Sequence, residues 1–496
     1  MSAVAARAAV RTEHGGRGEV LGAVDSQSSS ELVLTAGTVA AATGGTLAVG
    51  SSDRRVSGVS IDSRTLRRGD LFFAIRGDRF DGHAFVGAAL GAGAAGAVVS
   101  DAQAAALADA RGAITVVVDD TTRALQALAR YTRRASGSQV VAITGSTGKT
   151  TTKELVAALL ELGFRVTRST GNLNNHIGLP LSLMELRHRP DIAVVELGMS
   201  HAGEIRTLVA IAEPDVRVWT NVAEVHSAFF ASLDAIADAK AEVLEGADAR
   251  TLLVANADDP FVMARARRFV GATRTFGTAA EADVRADEIE ELGLDGIAAE
   301  VHTWAGGARL RTPLLGQGNL SNILAATTVA LHYGIPLGQV AERVAAVGAA
   351  PHRGVVSRLA GGVTLVDDTY NSNPRALAAA LAVIAREQRC GRRVAILGEM
   401  LELGERSLAL HAECGRAAAS AGIDLLVTVG GEPARALGSA AVDAGLSARA
   451  MFHAPTSEEA APAAAALVRP GDLVLVKGSR GVRTEVVADR IAVEFG

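Results

Sequence analysis

Cysteine is almost absent from this sequence, with only Cys390 and Cys414 among 496 residues. That excludes a disulfide framework, and two thiols so far apart give no tetrahedral metal site. Such sparse use fits a reducing compartment. Aromatic residues make up only 3%, so the cores must be built from Ala, Val, Leu and Ile. No run of 18 strongly apolar residues occurs, and the nearest approach, Val86 to Val99, is mostly Gly and Ala; membrane insertion is not expected. The first thirty residues carry scattered Arg and the run Ser28, Ser29, Ser30 without the apolar centre of a secretory signal. They read as a flexible tail of a cytoplasmic protein. Neither charge sign dominates: 49 Lys+Arg stand against 54 Asp+Glu, a formal net charge of -5. No global basic field is available to a nucleic-acid backbone, so no nucleic-acid partner is expected.

What is present fits several ordinary globular cores. Hydrophobic residues reach 49% and charged residues 21%, and the length suggests about three domains. The patterning divides the chain into a tail (1–30), a first unit (31–135), a central unit (136–348) and a last unit (349–496). In the first, apolar runs at Val56 to Ile61, Leu71 to Ile75 and Ile114 to Val118 read as strands, with helices from His83 to Gly93 and from Thr121 to Arg134. In the central unit, strands at Val140 to Thr144, Ile192 to Leu197, Val216 to Thr220 and Thr251 to Ala255 are separated by helices of crossover length. That spacing implies an α/β fold with a mostly parallel sheet. A polar, Gly-containing stretch near 280–316 precedes helices at Asn319 to His332 and Gly338 to Val347 and a hinge around Gly348. Alternation then restarts at Val363 to Asp367, Arg393 to Leu397, Leu425 to Val429 and Leu473 to Val476, the pattern of a second, Rossmann-like unit.

The sharpest local signal is Thr144-Gly145-Ser146-Thr147-Gly148-Lys149-Thr150-Thr151, between an apolar strand and a helix. A helix start presents unpaired N–H groups and the positive end of its dipole, and glycines let the backbone approach an anion. Lys149 would neutralise phosphate, and Thr150 would offer its hydroxyl to Mg²⁺. Ile143 stands where the full eight-residue phosphate-loop pattern has Gly, so the competing reading is a glycine-rich turn with a solvated Lys; ATP or GTP binding is favoured. Glu196, at the end of its strand, and His226, after the next one, are candidate metal-side residues from the same sheet edge. Lys240, by pattern alone, reads as an ordinary surface lysine.

Several further stretches stand in order along the chain: Asp62-Ser63-Arg64 with Phe80-Asp81-Gly82-His83, Asn172 to Pro180, Glu196 to Ser200, Asn319 to Ala326, Asp367 to Pro374, Leu397 to Met400, and Lys477 to Gly481. Together with the phosphate loop they resemble the Mur ligase family, ATP-dependent amide ligases of peptidoglycan precursor synthesis. The resemblance implies an N-terminal unit holding the UDP end of a substrate at Ser63 and Arg64, a central ATPase, and a C-terminal lid. It assigns Gly145, Ser146, Thr147, Gly148, Lys149, Thr150 and Thr151 to phosphate binding, and Asn322, Arg353 and Asp368 to adenine, phosphate and ribose. It places two Mg²⁺ ions at Thr150, Glu196 and His226 and a carbamate on Lys240. Lys149, Lys240 and His226 become the catalytic set, and Asn174, Asn371, Asn373, Lys477 and Arg480 become substrate contacts.

Within the family, Tyr370-Asn371-Ser372-Asn373-Pro374 and Gly430-Gly431-Glu432-Pro433 stand where the diaminopimelate- or lysine-adding members have other segments. The implied substrates are therefore a UDP-muramoyl tripeptide, D-alanyl-D-alanine and ATP, handled by a monomer. Gly318 departs from the His usual before the Asn-rich helix, which leaves one adenine-side contact open, and Thr147 replaces a more usual Asn or Ser. A folylpolyglutamate synthetase-like ligase would lack the unit before the phosphate loop, and a nucleotide switch would have no use for the last unit. Among the remaining residues, Asp367 and Asp368 read as a strand end with one of them at ribose, and His411 as a helix-face residue. Glu399, Lys477, Ser479 and Arg480 read as exposed loop residues facing the cleft, and both cysteines as buried or incidental.

Overall fold

A computed structural model describes residues 31–496 apart from 78–79, 110, 172, 224–229 and 231. Three large sheets dominate it. The first has the order Thr46–Val49, Ile114–Val117, Gly96–Val99, Asp70–Phe73, Gly58–Ser60, parallel except at its first pair. Asp70–Phe73 and Gly96–Val99 are buried at every position, as strands covered on both faces must be. The central sheet runs Gly306–Thr312, Ile297–Thr303, Val284–Glu291, Ala272–Gly277, Leu252–Asn256, Val216–Trp219, Gln139–Thr144, Ile192–Glu196, Val166–Arg168. The last sheet is Val355–Arg358, Thr364–Asp368, Leu473–Lys477, Arg393–Gly398, Leu425–Val429, Met451–Ala454, parallel apart from the first strand. The α/β class with mostly parallel sheets is therefore observed.

The polar stretch near 280–316 is not irregular. It forms three strands, the last two added antiparallel, that extend the central sheet to nine. Their signal is a period of two: Val284 and Ala286 point inward while Arg285 and Asp287 alternate with them. Charged residues on the outer face hide that alternation from a reading that looks for apolar runs. The helix expected from His83 begins as a 3₁₀ turn, Gly82–Phe85, and continues as Val86–Gly91.

Alanine and glycine do more than fill space in the last unit. Helices Ser407–Ser420 and Glu432–Asp443 approach so closely at Gly415 that a Cβ there would lie 2.0 Å from the carbonyl oxygen of Leu437. Helix propensity favours alanine over glycine by roughly 1 kcal/mol, but overpacking costs about 1–3 kcal/mol. Gly415→Ala is expected to lower the urea midpoint of unfolding; a raised midpoint would show that the helices can separate freely.

Between the central and last units the outer contacts are ionic. Arg386 pairs with Glu291, while Asp295 meets Arg389 at 3.0 Å and Arg358 at 3.4 Å. Exposed pairs of this kind contribute little and are screened by salt. Beneath these pairs Leu294 of the central unit is buried in the core of the last unit beside Leu377, Leu381 and Ile384, so apolar packing as well as ion pairs orients the last unit over the central sheet.

Candidate functional site

Strand register brings the site together. In the central sheet Glu196 lies beside Ile143, and Trp219 beside Thr144, so the chain leaves three neighbouring strands at one edge, where open α/β sheets bind ligands. The loop from Gly145 to Gly148 is held from that edge. Asn221 Oδ1 accepts from the Thr147 amide at 2.9 Å, the Thr220 hydroxyl donates to the Thr147 carbonyl at 2.8 Å, and the Ser146 amide donates to the Asn221 carbonyl at 3.0 Å. Gly148, with φ +81°, starts the helix Lys149–Leu160 without a side-chain cap, leaving its first-turn N–H groups without side-chain partners and aimed toward the loop. A side chain at Gly148 would lie 2.2 Å from Asn322 Oδ1. Asn322 therefore packs directly against the loop, and it also accepts from the Thr152 hydroxyl at 3.2 Å.

Two lysines converge on this loop. Lys149 Nζ donates to the Gly145 carbonyl at 2.9 Å and the Ser146 carbonyl at 3.3 Å, and Lys240 Nζ reaches the same Gly145 oxygen at 3.1 Å. Lys240 is only 2% exposed, which corrects the pattern-based reading of a surface lysine: the helix Leu233–Ala241 turns it inward beneath the loop. Burial, reinforced by the charge of Lys149, pushes the Lys240 amine well below the usual lysine range. Lys149 is lowered as well by burial, an effect Glu196 opposes. Beside them the Thr150 hydroxyl donates to Glu196 Oε2 at 2.7 Å, Asn174 donates to Glu196 Oε1 at 2.8 Å, and Arg353 donates to Thr150 Oγ1 at 2.9 Å. His226 falls outside the described residues.

The last unit closes the other side of a cavity of about 1190 Å³ lined by the phosphate loop, Asn174, Glu196, Asn322, Arg353, Asp368, Asn371, Asn373, Lys477 and Arg480. Ser63 and Arg64 do not line it. They sit on a turn of the first unit, where Arg64 pairs with Asp62 and holds that carboxyl at about 2. Lys477 and Ser479 are buried, not exposed as their loop position suggested. The cause is register: Asp368 and Lys477 are parallel partners, and Lys477 Nζ donates to Asp368 Oδ2 at 2.6 Å and to the Asn371 carbonyl at 2.9 Å. Asn373 caps the helix Pro374–Arg386 through the Ala376 amide, and Asn371 Oδ1 accepts from the Ser372 amide. Asp367 binds His352 and the Thr369 hydroxyl.

His411 is more than a helix-face residue. It is fully buried, accepts from the Met400 amide at 2.8 Å, and Nδ1 donates to the Ser407 carbonyl at 2.7 Å, so it pins the turn after strand Arg393–Gly398. Glu399 accepts from the Gly431 amide, tying that turn to the next one. Cys414 is buried, its thiol pushed up to about 12, and Cys390 is partly buried. Sequence reasoning passed over Thr220 and Asn221, which hold the loop, and Asp258, whose carboxylate accepts from the Thr278 and Ala279 amides at the cavity wall. The signal that finds them is the one that found Glu196: a polar residue just past the end of a parallel strand.

A helix-start anion loop flanked by two lysines, a carboxylate–threonine pair and an arginine from a second α/β unit defines a nucleotide-dependent phosphoryl-transfer class of protein. Family models match along the chain: the Mur ligase family catalytic domain over residues 55–133, the Mur ligase middle domain over 143–330, and the Mur ligase glutamate ligase domain over 352–480. The chain is 33% identical over 442 residues to the UDP-N-acetylmuramoyl-tripeptide--D-alanyl-D-alanine ligase of Bacillus subtilis, covering 88% of this chain and 93% of that one. Among solved structures it resembles MurF from Acinetobacter baumannii (30% identity, TM-score 0.84, 93% of this chain and 99% of that one). It also resembles MurF ligase from Thermotoga maritima in complex with ADP (30%, TM-score 0.74, 88% and 97%). The chain belongs to the Mur ligase family.

Proposed function

We propose that the protein is an ATP-dependent ligase that joins D-alanyl-D-alanine to UDP-N-acetylmuramoyl-tripeptide in cytoplasmic peptidoglycan precursor synthesis, acting as a monomer of three units (31–135, 136–348, 349–496). The observation that carries the reading is the convergence of Lys149, Lys240, Thr150, Glu196 and Arg353 on one loop, at a cavity whose opposite wall belongs to the last unit. Relatives that match 76% to 88% of this chain bear the same activity in their names.

A carboxylate is a poor electrophile. Transfer of the terminal phosphoryl group of ATP to the tripeptide carboxylate gives an acyl phosphate with phosphate as leaving group. The amine of D-alanyl-D-alanine then forms the amide and phosphate departs. Such transfer needs alignment and charge neutralisation more than covalent help. The backbone from Gly145 to Gly148 with Ser146, Thr147 and Thr151 cradles the phosphates, Lys149 swings from its loop carbonyls onto them, and Arg353 approaches from the side of Thr150. Asn322 forms the adenine-side wall. Asp368 keeps Oδ1 for ribose while Oδ2 holds Lys477. Ser63 and Arg64, away from the cavity, suit the UDP end of a long substrate, while Asn174, Asn371, Asn373, Lys477 and Arg480 face its peptide end and the incoming dipeptide. Burial between the units excludes water from the reacting carbonyl.

Thr150 and Glu196 present adjacent hard oxygen donors, the chemistry Mg²⁺ prefers, so this pair would hold one ion, with His226 assigned to a second; the ions supply charge neutralisation at the phosphates. Lys240 fits carbamate formation for a related reason. Burial disfavours the ammonium form of Lys240 and so favours the nucleophilic free amine, whose nitrogen bonds to the carbon of CO₂ with loss of a proton, and a neutral amine becomes an anion beside Lys149.

The test is a substrate panel read by phosphate release. Release is expected only when ATP, the UDP-muramoyl tripeptide and D-alanyl-D-alanine are all present. Turnover with diaminopimelate or lysine on a dipeptide acceptor, or with glutamate and a folate, would overturn the assignment.

A further inference from the structure

The hinge between the central and last units carries a geometric device that the reaction scheme above does not use. His352 and Gly354 both take positive φ, 63° and 77°, so the chain turns sharply on either side of Arg353. Asp367 binds His352 Nδ1 at 2.8 Å and the Thr369 hydroxyl at 2.6 Å, and the Tyr370 amide donates to the His352 carbonyl at 2.9 Å. The hinge is therefore fastened to the loop that bears Tyr370, and Arg353 travels with the last unit rather than with the phosphate loop it reaches.

The Tyr370 ring is what the guanidinium rests on. Arg353 Cζ lies 3.9 Å from the ring centroid while its NH2 group donates to Thr150 Oγ1 at 2.9 Å. Arg480 Cζ, from the turn after strand Leu473–Lys477, lies 5.4 Å from the same centroid. Neither arginine forms an ion pair among the described residues, and both line the cavity with Tyr370. Two like charges brought to one ring without a carboxylate repel one another; the ring face offsets part of that cost, and an anion placed between them would offset the rest. An arginine side chain also carries large rotamer freedom, which a flat aromatic support removes before the anion arrives.

We propose that Tyr370 is a positioning residue: its ring holds the Arg353 guanidinium at the Thr150 end of the phosphate loop and fixes the spacing between Arg353 and Arg480, so that the two receive the phosphoryl group in transit as the last unit closes. This rests on the assignment of Arg353 to phosphate.

The test is a double-mutant cycle on the full chain, read by kcat and KM for dipeptide-dependent phosphate release. Tyr370→Leu is expected to lower kcat about 10-fold, in line with a partly desolvated cation–π contact, with KM for D-alanyl-D-alanine changed less than about twofold. Tyr370→Phe keeps the ring and retains most of kcat. In an Arg353→Ala background, Tyr370→Leu is expected to add less than about twofold, because the group it positions is gone. Full multiplication of the two single effects, or a Tyr370→Phe variant as slow as Tyr370→Leu, would overturn the proposal while leaving Arg353 at the phosphate. Near-normal turnover of Arg353→Ala alone would instead overturn the phosphate assignment and this proposal together.

Discussion

Lys149→Ala is expected to reduce dipeptide-dependent phosphate release by at least about 10²–10³-fold, the loss typical of removing one preorganised electrostatic partner of a transition state, while the protein stays folded. The structure separates the two halves of that expectation. Among the described residues Lys149 Nζ donates only to the carbonyls of Gly145 and Ser146 in its own loop, and alanine is a good residue for the first turn of a helix. The loop keeps its shape through Thr220, Asn221 and Asn322, none of which contacts the Lys149 amine. Burial lowers the Lys149 pKa, which means the fold disfavours its charge, and truncation releases that cost. The checking measurements are single-turnover phosphate release and a urea unfolding curve on the same preparation. Near-normal turnover would show that the loop has another use; collapse of the unfolding midpoint would show that the lysine is structural.

The glycine turn and helix start from Gly145 to Thr150 were legible because their requirements are local: glycine where the backbone must take positive φ, lysine and threonine at the helix start. Parallel strands such as Ile192–Glu196 and Leu473–Lys477 were legible because both their faces are buried and they read as unbroken apolar runs. Gly96–Val99, hidden in a Gly- and Ala-rich stretch, and Val166–Arg168, Ala272–Gly277 and Met451–Ala454, with exposed or half-buried positions, were passed over. Legibility fails where the cause lies far along the chain. Lys240 lies 95 residues beyond Gly145, past three strands and three α-helices, and nothing in Ile236 to Glu242 reveals that its helix dips beneath the loop. Lys477 looks exposed because it ends a strand, yet parallel register sets it against Asp368, more than a hundred residues away. Asn373 carries an N-cap signature, Asn-Pro before an Ala-rich helix, and its side-chain oxygen is engaged in that cap, which leaves the amide nitrogen for a substrate contact. The strands at 284–312 were hidden by their charged outer face.

Lys240→Ala is expected to lower turnover by about 10²-fold or more, and added short carboxylic acids are expected to restore part of it, since they return an anion to the space under Gly145. Absence of restoration would leave the lysine a positional role only. A second, independent reading comes from protons. The folded pKa of Lys240 lies well below its ordinary value, whereas in the unfolded chain the amine titrates near 10.4. As pH falls below that unfolded value, the unfolded state takes up a proton that the folded state refuses, so stability declines with falling pH and levels off only below the folded pKa. Lys240→Met, which keeps the apolar stem, removes that proton difference. In CO₂-free buffer its urea midpoint is expected to vary less with pH than that of the parent between about pH 10 and neutrality. Equal pH dependence of the two proteins would mean that Lys240 is charged in the fold. A charged amine cannot attack CO₂, and the carbamate would fail with it.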